Sequence, residues 1–270
     1  MIEHLLYPLV SERFANDAQY REGHLRVINA LPERRVLGLH TPDMKLLARQ
    51  ISREGCEVLL NDGVRHRCAN GAEVIRSFEQ MPCSALCYEE SVVWGFLINL
   101  EACTFEQRLS MLERYVPAMD NWAVCDAYCA NAKWVARADR EVVWAFMQRW
   151  FDSECEFEVR FAVVMAMTYF LNEEWLDRVF QRIDRLDLCR IRSRYRSVKS
   201  RPAVAQQGTV QGAEPYYVRM GVAWLLATSL AKHPNRTRAY VRSTHLPADV
   251  IKLYVRKSRE SLKTRFVEPF

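Results

Sequence analysis

What most constrains this chain is a close succession of short segments with a helical apolar period, each followed after a few residues by the next. Thr41-Pro42-Asp43 reads as a helix start with proline at the first helical position. Met44, Leu46, Leu47 and Ile51 then supply one apolar face, which predicts a helix over about 42–54. The same period predicts helices near 72–81, 88–101, 104–116, 120–134, 139–151, 156–171, 173–185, 215–232, 236–243 and 247–262. Connectors such as ERYVPAMDN and WFDSECEFE leave room only for antiparallel packing of consecutive helices. Alternate helices start roughly 35–40 residues apart, which suits stacked two-helix repeats, although no strict repeated motif accompanies the spacing. A compact, non-repetitive helical domain fits the same periodicity.

Composition agrees with an all-α chain. Half of the 270 residues are hydrophobic, enough for a substantial core, and nine glycines and ten prolines are too few for a β-sandwich turning every ten residues. The opening segment MIEHLLYPLVSERFAND mixes acids with apolar residues and does not read as a secretory leader, and no apolar run approaches the ~20 residues of a membrane span. The expected location is therefore cytoplasmic, with no membrane partner. Nine cysteines, an odd number in a long chain without an export signal, are expected to be reduced and mostly core residues. Cys83 and Cys87, like Cys125 and Cys129, stand one helical turn apart without a second matching pair, and the six histidines include no HExxH. No Walker-type or GxGxxG phosphate loop is present either, so the expectation is no metal and no cofactor.

The formal charge of +5 is modest, but its distribution is uneven. From Leu188 to Ala213 there is no acidic residue, whereas Arg190, Arg192, Arg194, Arg196, Lys199 and Arg201 fall close together. The stretch 187–214 also loses the helical period and reads as a basic loop or insertion, either a nucleic-acid contact or a basic loop without a dedicated role. Elsewhere, Trp122 and Asp126 are four residues apart and share a helix face, so a carboxylate lies beside an indole. That pair is either an ordinary helix face or a site for a cationic, electron-poor group, to which both the ring and the carboxylate are attractive. Arg160 interrupts the apolar EFEVRFAVVMAMTYFL and requires a partner, whether Glu156, Glu158, Asp126 or a phosphate held in its planar fork. In YYVRMGVAWLLATSLAK, Arg219 interrupts Tyr217, Met220, Trp224 and Leu225 in the same way.

DNWAVCD at 120–126, EFEVRFAVVMAMTYF at 156–170 and YYVRMGVAWLLA at 216–227 resemble three successive signature segments of the HEAT-like DNA alkylation repair glycosylases. VLGLHTPDMKLLARQI at 36–51 is similar to that family's N-terminal motif, a glycine before a proline-started helix. The resemblance implies a single domain over 1–270, a curved, right-handed superhelical stack of antiparallel helix pairs, with the 187–214 insertion where relatives have a short connection. It implies monomeric binding of duplex DNA on the concave face, in association with the nucleoid, and excision of cationic N3- and N7-alkylated purines. Trp122 and Trp224 would line the cleft against the lesion-bearing sugar, Asp126 would be the catalytic carboxylate, and Arg160 would hold the backbone. Lys133, Arg149, Arg219, Arg190, Arg192 and Arg194 would add DNA contacts. Two other readings stay open: a non-catalytic DNA-structure-binding paralogue of the same fold, and a HEAT-type protein scaffold, which calls for an apolar or acidic concave face.

Overall fold

The computed structural model describes residues 1–195 and 214–270. Among them are fourteen α-helices and one two-stranded antiparallel sheet. The helices are α1 (Glu3–Leu6), α2 (Glu12–Asn16), α3 (Ala18–Ile28), α4 (Thr41–Glu54), α5 (Gly71–Glu79), α6 (Tyr88–Leu100), α7 (Phe105–Tyr115), α8 (Trp122–Asn131), α9 (Arg140–Phe151), α10 (Glu156–Tyr169), α11 (Leu176–Asp184), α12 (Tyr216–Lys232), α13 (Pro234–Ser243) and α14 (Ala248–Glu260). From α4 onward each stands where the apolar period puts one. None of the helices is long and apolar enough to cross a membrane. The chain forms two compact units, residues 1–134 and the described residues from 135 onward.

In the first unit α6 is the central element. It touches α4, α5, α7 and α8, and eleven of its residues, from Tyr88 to Ile98, are buried. A helix apolar on all sides must be surrounded, and an aromatic chain does that work here. Phe78 of α5 stacks on Trp94 at 5.6 Å, Trp94 meets Tyr115 of α7 edge-on at 4.9 Å, and Tyr115 meets Tyr128 of α8 at 5.4 Å.

The polar interior of this unit is organised by two acids at the start of α6. Glu90 accepts the amides of Cys87 and Ile2, at 2.9 and 2.6 Å. Glu89, fully buried, accepts the amides of Leu37 (3.0 Å), Gly38 (2.8 Å) and Leu39 (3.4 Å). Desolvation pushes its carboxyl above the usual range, and those backbone donors oppose the shift. The glycine of the N-terminal motif thus has a physical reason. Its φ is +91°, and a Cβ there would lie 2.2 Å from the Phe14 ring.

The second unit is built the same way around α10 and α12, which touch each other, with α9 against α10 and both α13 and α14 against α12. Trp144, Phe170 and Trp175 form its aromatic nucleus, with centroids 4.8–5.5 Å apart. The guanidinium groups of Arg140 and Arg178 lie over the Trp175 ring at 5.3 and 4.2 Å.

Three differences from the sequence reading stand out. Residues 3–28 carry three short helices, where the sparse apolar residues of AQYREGHLRVI gave no clear period. β1 (Cys56–Leu59) pairs antiparallel with β2 (Arg65–Cys68) across a turn containing Asp62-Gly63, Gly63 having φ +75°. The stretch read as a loop from 187 is packed as far as Tyr195, with Leu188, Ile191, Ser193 and Tyr195 buried and a parallel bridge between Cys155 and Arg192. The rest of that insertion, with Arg196, Lys199 and Arg201, lies outside the described residues.

Gly38→Ala should lower stability by about 3 kcal/mol, since it combines a positive φ with overpacking against Phe14. Urea unfolding measures this, and a loss below about 0.5 kcal/mol would show that the Glu89 turn is not tightly held.

Candidate catalytic site and nucleic-acid surfaces

Asp120-Asn121-Trp122 opens α8, and all three side chains are committed to docking it. Asp120 receives the Nε of Arg34 at 2.7 Å and its Nη2 at 3.3 Å. Arg34, itself buried, also donates to the carbonyls of Cys83 and Leu86 and to Ser91. Asn121 accepts the Ala123 amide at 2.8 Å as the N-cap of α8 and donates to the Ile28 carbonyl at 2.8 Å. The indole N–H of Trp122 reaches the Val27 and Ile28 carbonyls at 3.2 and 3.1 Å. The C-terminal carbonyls of α3, orphaned at a helix end, thereby gain donors from α8.

One turn beyond Trp122, Asp126 is half-buried on the same face of α8. Apart from Asp126, α8 is uncharged from Trp122 to Asn131. Lys133 follows, exposed, in the next short turn. The first unit thus holds a half-buried carboxylate and a half-buried indole, one helical turn apart, on a helix pinned at its start.

The second unit holds the remaining candidates. Arg160 is only 3% exposed. Its Nη1 donates to the Tyr217 carbonyl at 2.5 Å, and a Cβ at Gly221 would stand 3.4 Å from the same nitrogen, so the small residue opens the passage for the guanidinium. Glu156, one turn before Arg160 on α10, accepts the Tyr217 amide at 2.6 Å and the Ser193 hydroxyl at 2.5 Å. The backbone N–H and C=O of one residue of α12, Tyr217, are therefore held by two α10 side chains. Glu156 acts as a long-range cap for α12, whose own Pro215 offers no capping side chain. Burial raises the Glu156 carboxyl to about 7, against the opposing pull of Ser193, the Tyr217 and Val218 amides and Arg160. Of the partners open to Arg160 on the sequence, Glu156 feels its charge, and the arginine is buried.

Trp224, two turns along α12 from Tyr217, is 38% exposed and lines a cleft of about 520 Å³ with residues of α14. Arg219 is partly buried and paired with Asp249 of α14. Arg149 is exposed, with its guanidinium 4.9 Å from the Trp150 ring. Arg190 and Arg192 share Glu154, at 2.9 and 3.0 Å, and hold its carboxyl below the usual range. Arg194 is half-buried. Within this unit Arg160 and Trp224 thus occupy neighbouring helices, but the first faces the interior and the second the solvent.

Sequence reasoning missed Glu89 as a receptor for the 37–39 amides, the Arg34–Asp120 pair, and the lysines around Trp224. The first was detectable in principle, as adjacent acids at the start of the otherwise apolar YEESVVWGFLI. The other two depend on residues distant in sequence.

Residues 15–187 match the family described as DNA alkylation repair enzyme. The match covers well over half of the chain, and the protein belongs to that family. It takes in Trp122, Asp126 and Arg160 and ends before Arg190, Arg219 and Trp224. No curated protein and no solved structure matches the chain.

Two predictions follow from the docking contacts. Trp122→Phe, which removes the indole donor together with the five-membered ring of a half-buried side chain, should cost at least about 1 kcal/mol of stability in chemical denaturation, and no change would mean that the α3 carbonyls are equally well served by Asn121 or water. The raised carboxyl of Glu156 makes a pH test. A folded-state value near 7 against an ordinary 4.5 contributes stability that is complete below about 4.5 and is lost as pH rises through about 7. The wild type should lose on the order of 3 kcal/mol across that window relative to Glu156→Gln. Parallel pH profiles for the two proteins would refute a protonated Glu156.

Proposed function

We propose that this member of the family is a HEAT-like alkylpurine DNA glycosylase, hydrolysing the N-glycosidic bond of cationic N3- or N7-alkylated purines in duplex DNA, with residues 1–270 serving as one repair domain. Family membership supports DNA repair as the setting. The mostly helical build, in which alternate helices touch within each unit, α4 with α6 and α6 with α8, then α10 with α12 and α12 with α14, supports the repeat reading. The observation that carries the catalytic assignment is Asp126, half-buried beside Trp122 on a helix whose start is fixed by three side chains.

An alkylated purine carrying a positive charge leaves with the bonding electrons and becomes neutral, so strong protonation of the leaving group is unnecessary. The difficult species is the oxocarbenium-like sugar, positive at C1′ and its ring oxygen. The Asp126 carboxylate stabilises that charge and orients the water that adds to C1′, and it takes the water's proton as the new C–O bond forms. The Trp122 ring face beside Asp126 is attractive to the same cation, and Trp224, in the second unit, offers an indole face to the DNA strand. In this assignment Arg160 acts indirectly, holding α12 and hence Trp224. The backbone contacts fall to Lys133, Arg149, Arg219, Arg190, Arg192 and Arg194. For Arg190 and Arg192, exchanging an exposed carboxylate for a phosphate costs little, since surface pairs contribute under about 1 kcal/mol.

The test is release of free base from duplex DNA carrying N-methylated purines, comparing wild type with Asp126→Asn. A loss on the order of 10²–10³ in rate, with unchanged unfolding and DNA affinity, is expected. No release by the wild type, with salt-sensitive binding retained, would instead favour a non-catalytic DNA-binding member; absence of DNA binding would favour a protein scaffold.

A further inference from the structure

We infer that the cleft beside Trp224 is a built site for one sugar-phosphate unit of a DNA strand, with Lys232 and Lys263 as its phosphate-holding residues; this deepens the glycosylase reading and rests on it. The floor is one face of α12. Trp224, Ala227, Thr228, Ala231 and Lys232 follow at helical spacing, so a flat aromatic surface leads along small side chains to an ammonium. Small residues let a ligand's backbone approach closely, and Trp224 offers a face to a sugar or base. The opposite wall comes from the end of α14 and the residues after it, Lys257, Glu260 and Lys263. The volume, about 520 Å³, is that of a ligand cleft.

The balance of charge decides the ligand class. Three lysines face one glutamate, and that glutamate is already occupied by Arg256 at 2.7 Å and Lys257 at 2.9 Å, which hold its carboxyl below the usual range. Both helices end at this cleft, and each C-terminus contributes roughly half a negative charge. Against those two half-charges, Lys232 and Lys263 stand exposed with no acidic partner among the described residues. A cationic surplus remains, next to an aromatic face. A phosphodiester with its deoxyribose matches both features; a cationic or purely apolar ligand matches one at most.

The experiment is the salt dependence of binding to lesion-free duplex DNA, followed by fluorescence anisotropy, for wild type and Lys232→Gln/Lys263→Gln. Both positions are exposed, and circular dichroism and thermal unfolding should be unchanged. Each lost phosphate contact should make the slope of log K against log salt shallower by roughly 0.9, so the double variant should lose roughly 1.8 and bind several-fold more weakly. A control, Arg26→Gln/Arg53→Gln, removes the same charge from exposed positions of the first unit and should change the slope much less. An unchanged slope in the lysine variant, or an equal loss in the control, overturns the site. Competition by a deoxynucleoside monophosphate at the same nucleotide concentration as the duplex also overturns it, since the cleft would then serve a free nucleotide. The two readings fail separately. Strong, lysine-dependent binding without base release sinks the glycosylase alone, and base release with lysine-independent binding sinks only the cleft.

Discussion

Both units rest on a buried carboxylate spent on backbone amides. A carboxyl group removed from water costs several kcal/mol unless its oxygens are hydrogen-bonded, and both Glu89 and Glu156 draw on backbone amides for this. Each is met by peptide N–H groups from a distant stretch of chain: Leu37, Gly38 and Leu39 for Glu89, Tyr217 for Glu156. Such N–H groups, at a turn or at the first turn of a helix, would otherwise be orphans in the interior. The carboxylate and the amides therefore need each other, and the requirement fixes where the 37–39 turn and the start of α12 must lie. Everything that α12 carries, including Trp224, inherits its position from that contact.

The same logic recasts the signature segments. VLGLH is a receptor for Glu89, DNW docks α8 on α3, and the first glutamate and the arginine of EFEVR hold the backbone N–H and C=O of Tyr217 in α12. Much of what makes these segments recognisable is the cost of leaving a buried polar group unmatched, which permits few substitutions. Asp126 differs from them in being half-buried on a helix face rather than committed to the start of a helix.

The helices were largely legible because amphipathic periodicity is a local property. Helices such as Thr41–Glu54 and Gly71–Glu79 show their buried face within two or three turns, and even the uniformly apolar α6 and α10 betray themselves by length and composition. The Cys56–Cys68 hairpin was overlooked although Asp62-Gly63 is a recognised turn dipeptide, because β1 and β2 are only four residues each and β2, RHRC, is mostly polar. Trp122 and Asp126 could be paired from spacing alone. Arg160 could not be resolved that way, since its choice between a carboxylate, a carbonyl and a phosphate depends on Tyr217 and Gly221, some sixty residues further on. The lysines about Trp224 were hidden for the same reason: α12 and the end of α14 meet there, and although RKSRESLKTR at 256–265 is itself basic, its sequence does not place it beside Trp224.

The charge inventory can now be divided by task. Arg34, Arg108 and Arg160 are buried and donate to main-chain carbonyls, so their charge contributes little to a surface field. For the proposed removal of a cationic base, the arrangement of the rest has to satisfy two opposed demands, cations along the phosphates and an anion at the sugar. A helix without cationic side chains, as α8 is from Trp122 to Asn131, suits the second demand. Partial burial adds to it. Two unit charges 4 Å apart interact by about 1 kcal/mol in water and about 4 kcal/mol at the effective dielectric of a protein surface. The difference of about 3 kcal/mol, realised only as the sugar becomes positive, corresponds to roughly two orders of magnitude in rate. Full burial favours the neutral form of a carboxyl, as the shift at Glu156 illustrates in the same chain. A half-buried aspartate thus suits the proposed chemistry better than a fully buried one.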